Sequence, residues 1–204
     1  MSTSVGFSNR RLATLVVVLA VFMTNLDLWI VNVALPALGH GFHAPLSDLS
    51  WVLNAYAITL AALLVVAGRL GDRIGQRPIF LAGVVVFTLA SLGCALAPNL
   101  GVLVAARVVQ AIGAAAQLPT SLALLLAAVP AERRTGATRA WAAVGGLAAA
   151  SGPVLGGLLV QANWRWVFVV NLPIGAFAWS PACSRSPARP PGNPAHCPTG
   201  SAPH

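Results

Sequence analysis

Two residues of opposite charge, Asp27 and Arg107, lie deep inside apolar stretches of this sequence. A charge at the centre of a bilayer costs about 2.5–3.5 kcal/mol on insertion scales, so each is expected to face a protein interior or a water-filled cavity. If the two stretches are neighbours in space, the two charges can pair. Two interpretations remain open: a static polar contact that holds two helices together, or a site where Asp27 takes up and releases a proton.

Long apolar segments carry both charges. A hydrocarbon core of about 30 Å requires roughly 20 apolar residues in a helix. Five segments meet this requirement: 12–35, 51–67, 79–97, 102–128 and 141–160. A sixth begins near Trp164 and is apolar only to about Trp179, so the sixth helix is expected to be short. The first segment is too long for the core of a cleaved signal peptide, and we interpret it as a retained span.

The composition supports a membrane protein. Apolar residues make up 57% of the 204 residues, charged residues make up 8%, and the net charge is +8. A soluble domain carries about a quarter charged residues, so this chain is not expected to be one. The arginines lie scattered between apolar runs, which argues against nucleic-acid binding. The cysteines and histidines show no metal-ligand spacing, and no catalytic or phosphate-binding motif is present, so no metal, cofactor, ATP-driven pump or enzyme activity is predicted.

The arginines predict the orientation in the membrane. With the N-terminus in the cytoplasm, ten arginines fall on the cytoplasmic side, Arg165 falls outside and Arg107 lies within a span. The ten are Arg10, Arg11, Arg69, Arg73, Arg77, Arg133, Arg134, Arg139, Arg185 and Arg189. This positive-inside bias supports six spans in the plasma membrane. We therefore predict a cytoplasmic N-terminus over 1–11 and a six-helix transmembrane domain over 12–179.

The chain changes character after Trp179. Residues 180–204 are dense in proline, serine and small residues, a composition typical of disordered segments. A frameshift or a truncation would produce such an ending, and the sequence does not distinguish them. We expect a disordered tail over 180–204.

A glycine- and arginine-rich segment, GRLGDRIGQRP over 68–78, follows the second span. Its glycines are expected to let the second and third helices pack closely after a tight turn. Asp72 is expected either to pair with an arginine or to cap the third helix. Alternatively, the arginines serve only to set the orientation.

This segment resembles the signature loop of the major facilitator superfamily, which lies between the second and third spans. The matching positions are Gly68, Leu70, Gly71, Asp72, Arg73, Gly75 and Arg77, and Gln76 stands where a basic residue is common. The resemblance implies the N-terminal six-helix half of a major facilitator fold. It also implies that this loop acts as a cytoplasmic gating latch.

Further motifs resemble the drug:proton antiporter branch with fourteen spans, over about residues 12–175. Residues 26–36, LDLWIVNVALP, resemble its first-helix motif, with Trp29 in place of threonine. Residues 107–114, RVVQAIGA, resemble its fourth-helix motif, with Ala111 for the first glycine. Residues 152–157, GPVLGG, resemble the core of its antiporter motif. Residues 164–168 and 171–173, WRWVF and NLP, resemble the start of its sixth helix.

The resemblance implies proton-coupled export of small amphipathic molecules by alternating access. Asp27 and Arg107 would couple transport to the proton gradient, and Gly152, Pro153, Gly156 and Gly157 would form a switch helix. Asn32, Gln110 and Gln117 are candidates to line a polar pathway, as are Asn54 and Tyr56. Gln117, Asn54 and Tyr56 each equally suit a hydrogen bond between helices. Two alternatives remain open: an inactive membrane-inserted fragment of such a transporter, or a half-transporter that pairs with another half or with itself.

Overall fold

The computed structural model describes residues 4–178, with side chains from residue 14 to residue 177. All regular elements in this part of the chain are helical. They are α1 (Ser4–Phe42), α2 (Leu46–Ile74), α3 (Gln76–Ala95), α4 (Leu100–Ala128), a 3-10 turn (Ala131–Arg133), α5 (Arg134–Ala162), α6 (Trp166–Val169) and α7 (Asn171–Ala178).

Five of these helices, α1 to α5, are long and apolar enough to cross a membrane, as judged by length and composition. Each corresponds to one of the five predicted spans, and α1 begins earlier than the predicted start at residue 12. Within the described residues, the sixth apolar segment runs over Trp166–Phe177 and is shorter than the other five. The predicted disordered tail over 180–204 lies outside the described residues.

The segment between α2 and α3 is not an extended loop. Helix α2 continues to Ile74, and α3 begins at Gln76. Gly75 alone separates them, with a φ of 117° that an L side chain rarely adopts. The expectation that Asp72 caps the third helix is wrong, because the residue at the N-cap is Gly75 and no side chain caps this end. Asp72 instead accepts a hydrogen bond of 2.7 Å from Gln76 Nε2.

Helix α4 occupies the centre of one group of helices, with α2 and α3 packed on it. The expected close packing of α2 on α3 is wrong, because these two helices contact each other far less than each contacts α4. Gly68 lies next to Pro119 and Gly71 next to Thr120, both on α4. The small residues of this segment therefore bring α2 close to α4, and Gly71 also lies against the Gln76 side chain at the start of α3.

The closest backbone approach that involves α4 is its contact with α3. A Cβ atom added to Gly113 would lie 2.5 Å from the backbone nitrogen of Phe87 and 2.8 Å from the carbonyl oxygen of Gly83. Because backbone atoms cannot move aside as a flexible side chain does, only glycine fits here.

A second pair consists of α1 and α5, which pack along each other. The pair joins the α2–α3–α4 group where α1 meets α4, and α6 and α7 pack across α1 and α3. Helices α2 and α5 remain the least covered. Within the most apolar stretch of each helix, 17% of α2 and of α5 is buried, against 56% of α1 and 44% of α3 and of α4. One face of each therefore lacks a protein partner in the described part of the chain.

We predict that Gly113→Ala lowers the free energy of unfolding by about 1–3 kcal/mol, because the added methyl group meets backbone atoms and forces a shift of α3 against α4. The measurement is unfolding of the purified protein in mixed micelles with increasing dodecyl sulfate, followed by circular dichroism. Gly146→Ala is the matched control, since a Cβ there meets nothing within 4 Å. Equal losses in the two variants would contradict close α3–α4 packing.

Candidate functional site: a buried ion pair and its polar neighbours

Asp27 of α1 and Arg107 of α4 form a salt bridge between Asp27 Oδ2 and Arg107 Nη1. Both side chains are completely buried. Apolar residues of the same helices, including Leu26, Ile30 and Leu103, are also buried around them. The first and fourth spans are therefore neighbours, and of the arrangements that the sequence left open the two charges adopt the direct pair.

Arg107 has further partners on three sides. Its Nη1 donates to Gln110 Oε1 at 2.7 Å, and its Nε donates to the backbone carbonyl of Val52 at 3.2 Å. Its guanidinium group also lies over the ring of Tyr56, 4.1 Å from the ring centroid. A cation over an aromatic face is attracted by the ring's quadrupole, most strongly where water is excluded. Arg107 thus links α4 to both α1 and α2.

The second carboxylate oxygen of Asp27 accepts from two amides. Gln110 Nε2 donates to Asp27 Oδ1 at 3.0 Å, and Asn171 Nδ2 donates to the same atom at 3.2 Å. Both amides also donate to Ser91 Oγ, at 2.6 Å and 3.1 Å respectively. Cys94 Sγ lies 3.7 Å from Gln110 Oε1, to which it donates. The cluster therefore joins side chains from α1, α2, α3, α4 and α7.

Three buried polar atoms of this cluster have no hydrogen-bond partner in the structure: Tyr56 Oη, Arg107 Nη2 and Asn171 Oδ1. Buried polar groups are usually paired, so each such group requires an explanation. Arg107 Nη2 is a donor, the Tyr56 hydroxyl can donate or accept, and Asn171 Oδ1 is an acceptor. The cluster therefore retains capacity to bond a further proton or a small polar species.

Sequence reasoning found the ion pair but missed several of its neighbours. Ser91 and Cys94 were not expected at the site, and Asn171 was recognised only as part of a motif. Each is a polar or weakly polar residue within an apolar helical segment, which is a detectable signal. The sequence does not show which of these residues face one another, because that depends on how α3 and α7 pack.

The predicted pathway residues separate into two groups. Gln110 and Gln117 are buried between helices, and Gln117 Nε2 donates to the carbonyl of Gly83 at 3.2 Å. Thr24 Oγ1 of α1 lies 3.3 Å from Gln117 Oε1, so Gln117 connects three helices. Asn32 is exposed and donates to the carbonyl of Leu28 in its own helix, at 2.7 Å. The structure thus separates Asn32 from the two glutamines.

The predicted latch residues lie at the opposite end of α2 from its start at Leu46, around the break at Gly75. Asp72 and Arg73 are exposed in the last turns of α2, and Arg77 follows in the first turn of α3. None of them lies in the Asp27–Arg107 cluster, to which α2 contributes Tyr56 from its first half.

The predicted switch residues lie on different faces of α5. A Cβ atom on Gly152 would lie 2.6 Å from Cβ of Trp29, and one on Gly156 would lie 3.1 Å from side-chain atoms of Ile30 and Val33. These two glycines therefore seat α5 on α1 beside Asp27. Gly157 has nothing within 4 Å of an added Cβ, and Pro153 is exposed inside the helix.

Residues 17–200 match the family model of the Major Facilitator Superfamily. The chain belongs to this superfamily. The match extends past residue 175, where the motif resemblance ends. Because the superfamily consists of multi-pass membrane transporters, α1 to α5 are transmembrane helices.

Relatives within the superfamily include resistance and efflux proteins. The chain is 44% identical over 156 residues to the methylenomycin A resistance protein of Streptomyces coelicolor, covering 76% of this chain and 33% of that protein. It is 43% identical over 172 residues to the drug efflux pump JefA of Mycobacterium tuberculosis, covering 83% and 34%. It is 45% identical over 172 residues to the multidrug resistance protein Stp of the same species, covering 83% and 32%. The chain thus spans about a third of the length of these relatives.

Solved superfamily structures show the same fold. The proton:xylose symporter XylE, bound to 6-bromo-6-deoxy-D-glucose, superposes with a TM-score of 0.69 at 18% identity, covering 84% of this chain and 44% of that one. A bacterial homologue of the human lysosomal transporter Spinster superposes with a TM-score of 0.65 at 17% identity, covering 91% and 46%. The chain therefore corresponds to the N-terminal half of a major facilitator fold, as predicted.

We predict that Arg107→Met lowers the free energy of unfolding by about 3–5 kcal/mol, because it leaves the Asp27 carboxylate buried and unpaired. The double variant Asp27→Leu, Arg107→Met is expected to lose less, since it removes both charges. A double-mutant cycle that includes Asp27→Leu, measured by dodecyl sulfate unfolding, tests this. Additive losses would show that the two side chains do not interact.

Proposed function

We propose that this chain is the N-terminal half of a proton-coupled exporter of small amphipathic molecules that works by alternating access in the plasma membrane. The observation that carries the proposal is the completely buried Asp27–Arg107 pair. A carboxylate in this position is costly to bury as an unpaired charge. Protonation of Asp27 and its ion pair with Arg107 therefore depend on each other. The resistance and efflux proteins named above support the choice of cargo.

The arrangement around Asp27 suits reversible proton binding. In the ionised state, Arg107, Gln110 and Asn171 together donate to both carboxylate oxygens. A proton on Asp27 removes the attraction that holds Arg107 against α1, so the α1–α4 contact weakens. Proton binding and helix packing are thereby coupled at one site, with the proton gradient as the only energy source and no cofactor.

The remaining predicted residues have positions that suit their proposed roles. Asp72, Arg73, Gly75 and Arg77, with Gly68 one turn earlier, surround the only break between α2 and α3, where a latch between conformations would act. Gly152 and Gly156 permit α5 to slide on α1, while Pro153 and Gly157 lie away from that contact. Asn32 offers an amide on the exposed face of α1, where a pathway would pass.

A major facilitator binds its substrate between two halves, so this half requires a partner. The uncovered faces of α2 and α5 are the surfaces available for one. Either a second half or a second copy of this chain would fit them, because the two halves of this superfamily are related as parallel repeats. The competing proposal is an inactive fragment that inserts into the membrane and transports nothing.

We predict that cells expressing the 204-residue chain export a fluorescent cationic dye in a manner that depends on the proton gradient, and that Asp27→Asn abolishes the export. The measurement is dye efflux from preloaded cells at matched protein levels in the membrane. Asn163→Ala, which alters a capping residue before α6, is the control and retains export. Absence of export from correctly inserted chain would favour the inactive fragment.

We also predict the orientation of the chain. In a background without native cysteines, His43→Cys is expected to react with a membrane-impermeant maleimide on intact cells, because it lies between α1 and α2 on the outer side. Glu132→Cys, in the turn before α5, is expected to react only after permeabilisation. The reverse pattern would place the N-terminus outside.

A further inference from the structure

Among the side chains that bond Asp27, Asn171 has an acceptor atom, Oδ1, that the ionised state leaves without a partner. Asn171 is completely buried and begins α7, directly after the irregular residue Val170. Its amide nitrogen already donates to Asp27 Oδ1 and to Ser91 Oγ. The same side chain thus presents its donor to Asp27 and leaves its acceptor without a partner.

A proton that binds Asp27 requires such an acceptor. Oδ2 faces the guanidinium of Arg107, which only donates, so the proton is expected on Oδ1. Oδ1 faces two amide nitrogens, and an O–H group cannot donate to either. One of the two amides must therefore present its oxygen for the carboxyl proton to be satisfied.

Gln110 is poorly suited to that change. Its Oε1 accepts from Arg107 Nη1 at 2.7 Å and from Cys94 Sγ, so turning the amide over breaks both contacts. When the Asn171 amide turns over, its oxygen loses no hydrogen bond, because it has none. Ser91 accommodates the change, because its hydroxyl accepts from Nδ2 in one orientation and donates to Oδ1 in the other.

We propose that Asn171 is a positioning residue whose amide rotates by half a turn when Asp27 takes up a proton from water. In the ionised state Nδ2 donates to the carboxylate, and in the protonated state Oδ1 accepts from the carboxyl group. This inference rests on the proposed proton coupling at Asp27. Because Asn171 starts α7, the rotation couples protonation of Asp27 on α1 to the sixth span. None of the sequence motifs assigns such a link.

Among the other ionisable groups near Asp27, only the Tyr56 hydroxyl can both donate and accept, and no hydrogen bond joins it to Asp27. Arg107 of α4 is a donor only, and Tyr56 of α2 and Cys94 of α3 complete the titratable neighbours. Cys94 already donates to Gln110. The arginines of α5 that the structure describes lie in its first two turns, and Arg165 donates to the carbonyls of Ala95 and Ala97. Asn171 is thus the residue to test.

The test is infrared difference spectroscopy of the 204-residue chain in lipid nanodiscs, recorded between acidic and alkaline pH. The carboxyl C=O band of protonated Asp27 is assigned by its loss in Asp27→Asn. A carboxyl group that donates to an acceptor absorbs at lower wavenumber than one that does not. Asn171→Thr and Asn171→Val form a matched pair of the same shape, in which only threonine can both donate and accept.

We expect the wild-type band at low wavenumber, a shift to higher wavenumber in Asn171→Val, and no such shift in Asn171→Thr. An unshifted band in Asn171→Val would overturn the rotation while leaving proton binding intact. Asn25→Ala, whose amide donates only to its own helix at Val21, controls for general effects near Asp27 and leaves the band in place. If wild-type chain shows no Asp27-dependent band at any pH tested, the proposed proton coupling fails as well.

Discussion

An isolated charge is not tolerated in an apolar bundle, and this constraint organises the packing of the whole domain. Asp27 and Arg107 each cost several kcal/mol when buried alone, so α1 and α4 must meet where these residues lie. Once they meet, the remaining donors and acceptors require partners of their own. Gln110, Ser91 and Asn171 supply them, which draws α3 and α7 to the same point. The other helices pack around this fixed contact.

In helix α4, small residues allow neighbouring helices to approach closely, and a polar residue aligns them. Gly113 and its neighbours on α3 bring two backbones together, while Gly68 and Gly71 do the same for α2. Such contacts let the backbones approach closely and add dispersion over a large area. The Arg107 side chain fixes the register of the helices, because its guanidinium bonds α1 and reaches the Val52 carbonyl of α2 at the same time. The glycine contacts thus account for the close packing of the bundle, and the Arg107 contacts account for its alignment.

The sequence predicts the presence and order of the five long helices because each contains a long apolar segment, but it does not predict their ends, since α1 and α2 both extend beyond their apolar segments. It also indicates that Asp27 and Arg107 can pair, since two opposite charges in apolar segments have few other partners. It does not predict that Gly68 and Gly71 face α4, because a short connection indicates sequence neighbours and not packing partners. Ser91 and Asn171 are missed for a related reason: their role depends on which face of α3 and α7 turns inward. The family match supplies the fold but not the placement of these side chains.

The neutrality of the ion pair has an electrical consequence. With Asp27 ionised, the cluster carries no net charge, so a membrane potential exerts little force on it. With Asp27 protonated, Arg107 remains as one positive charge inside the dielectric, and a full transit of one charge is worth about 2.3 kcal/mol per 100 mV. Some fraction of that energy acts on the arginine and thus on α4. If Asp27 takes up a proton as proposed, that proton converts the core of this bundle from an electrically silent contact into a voltage-sensitive one.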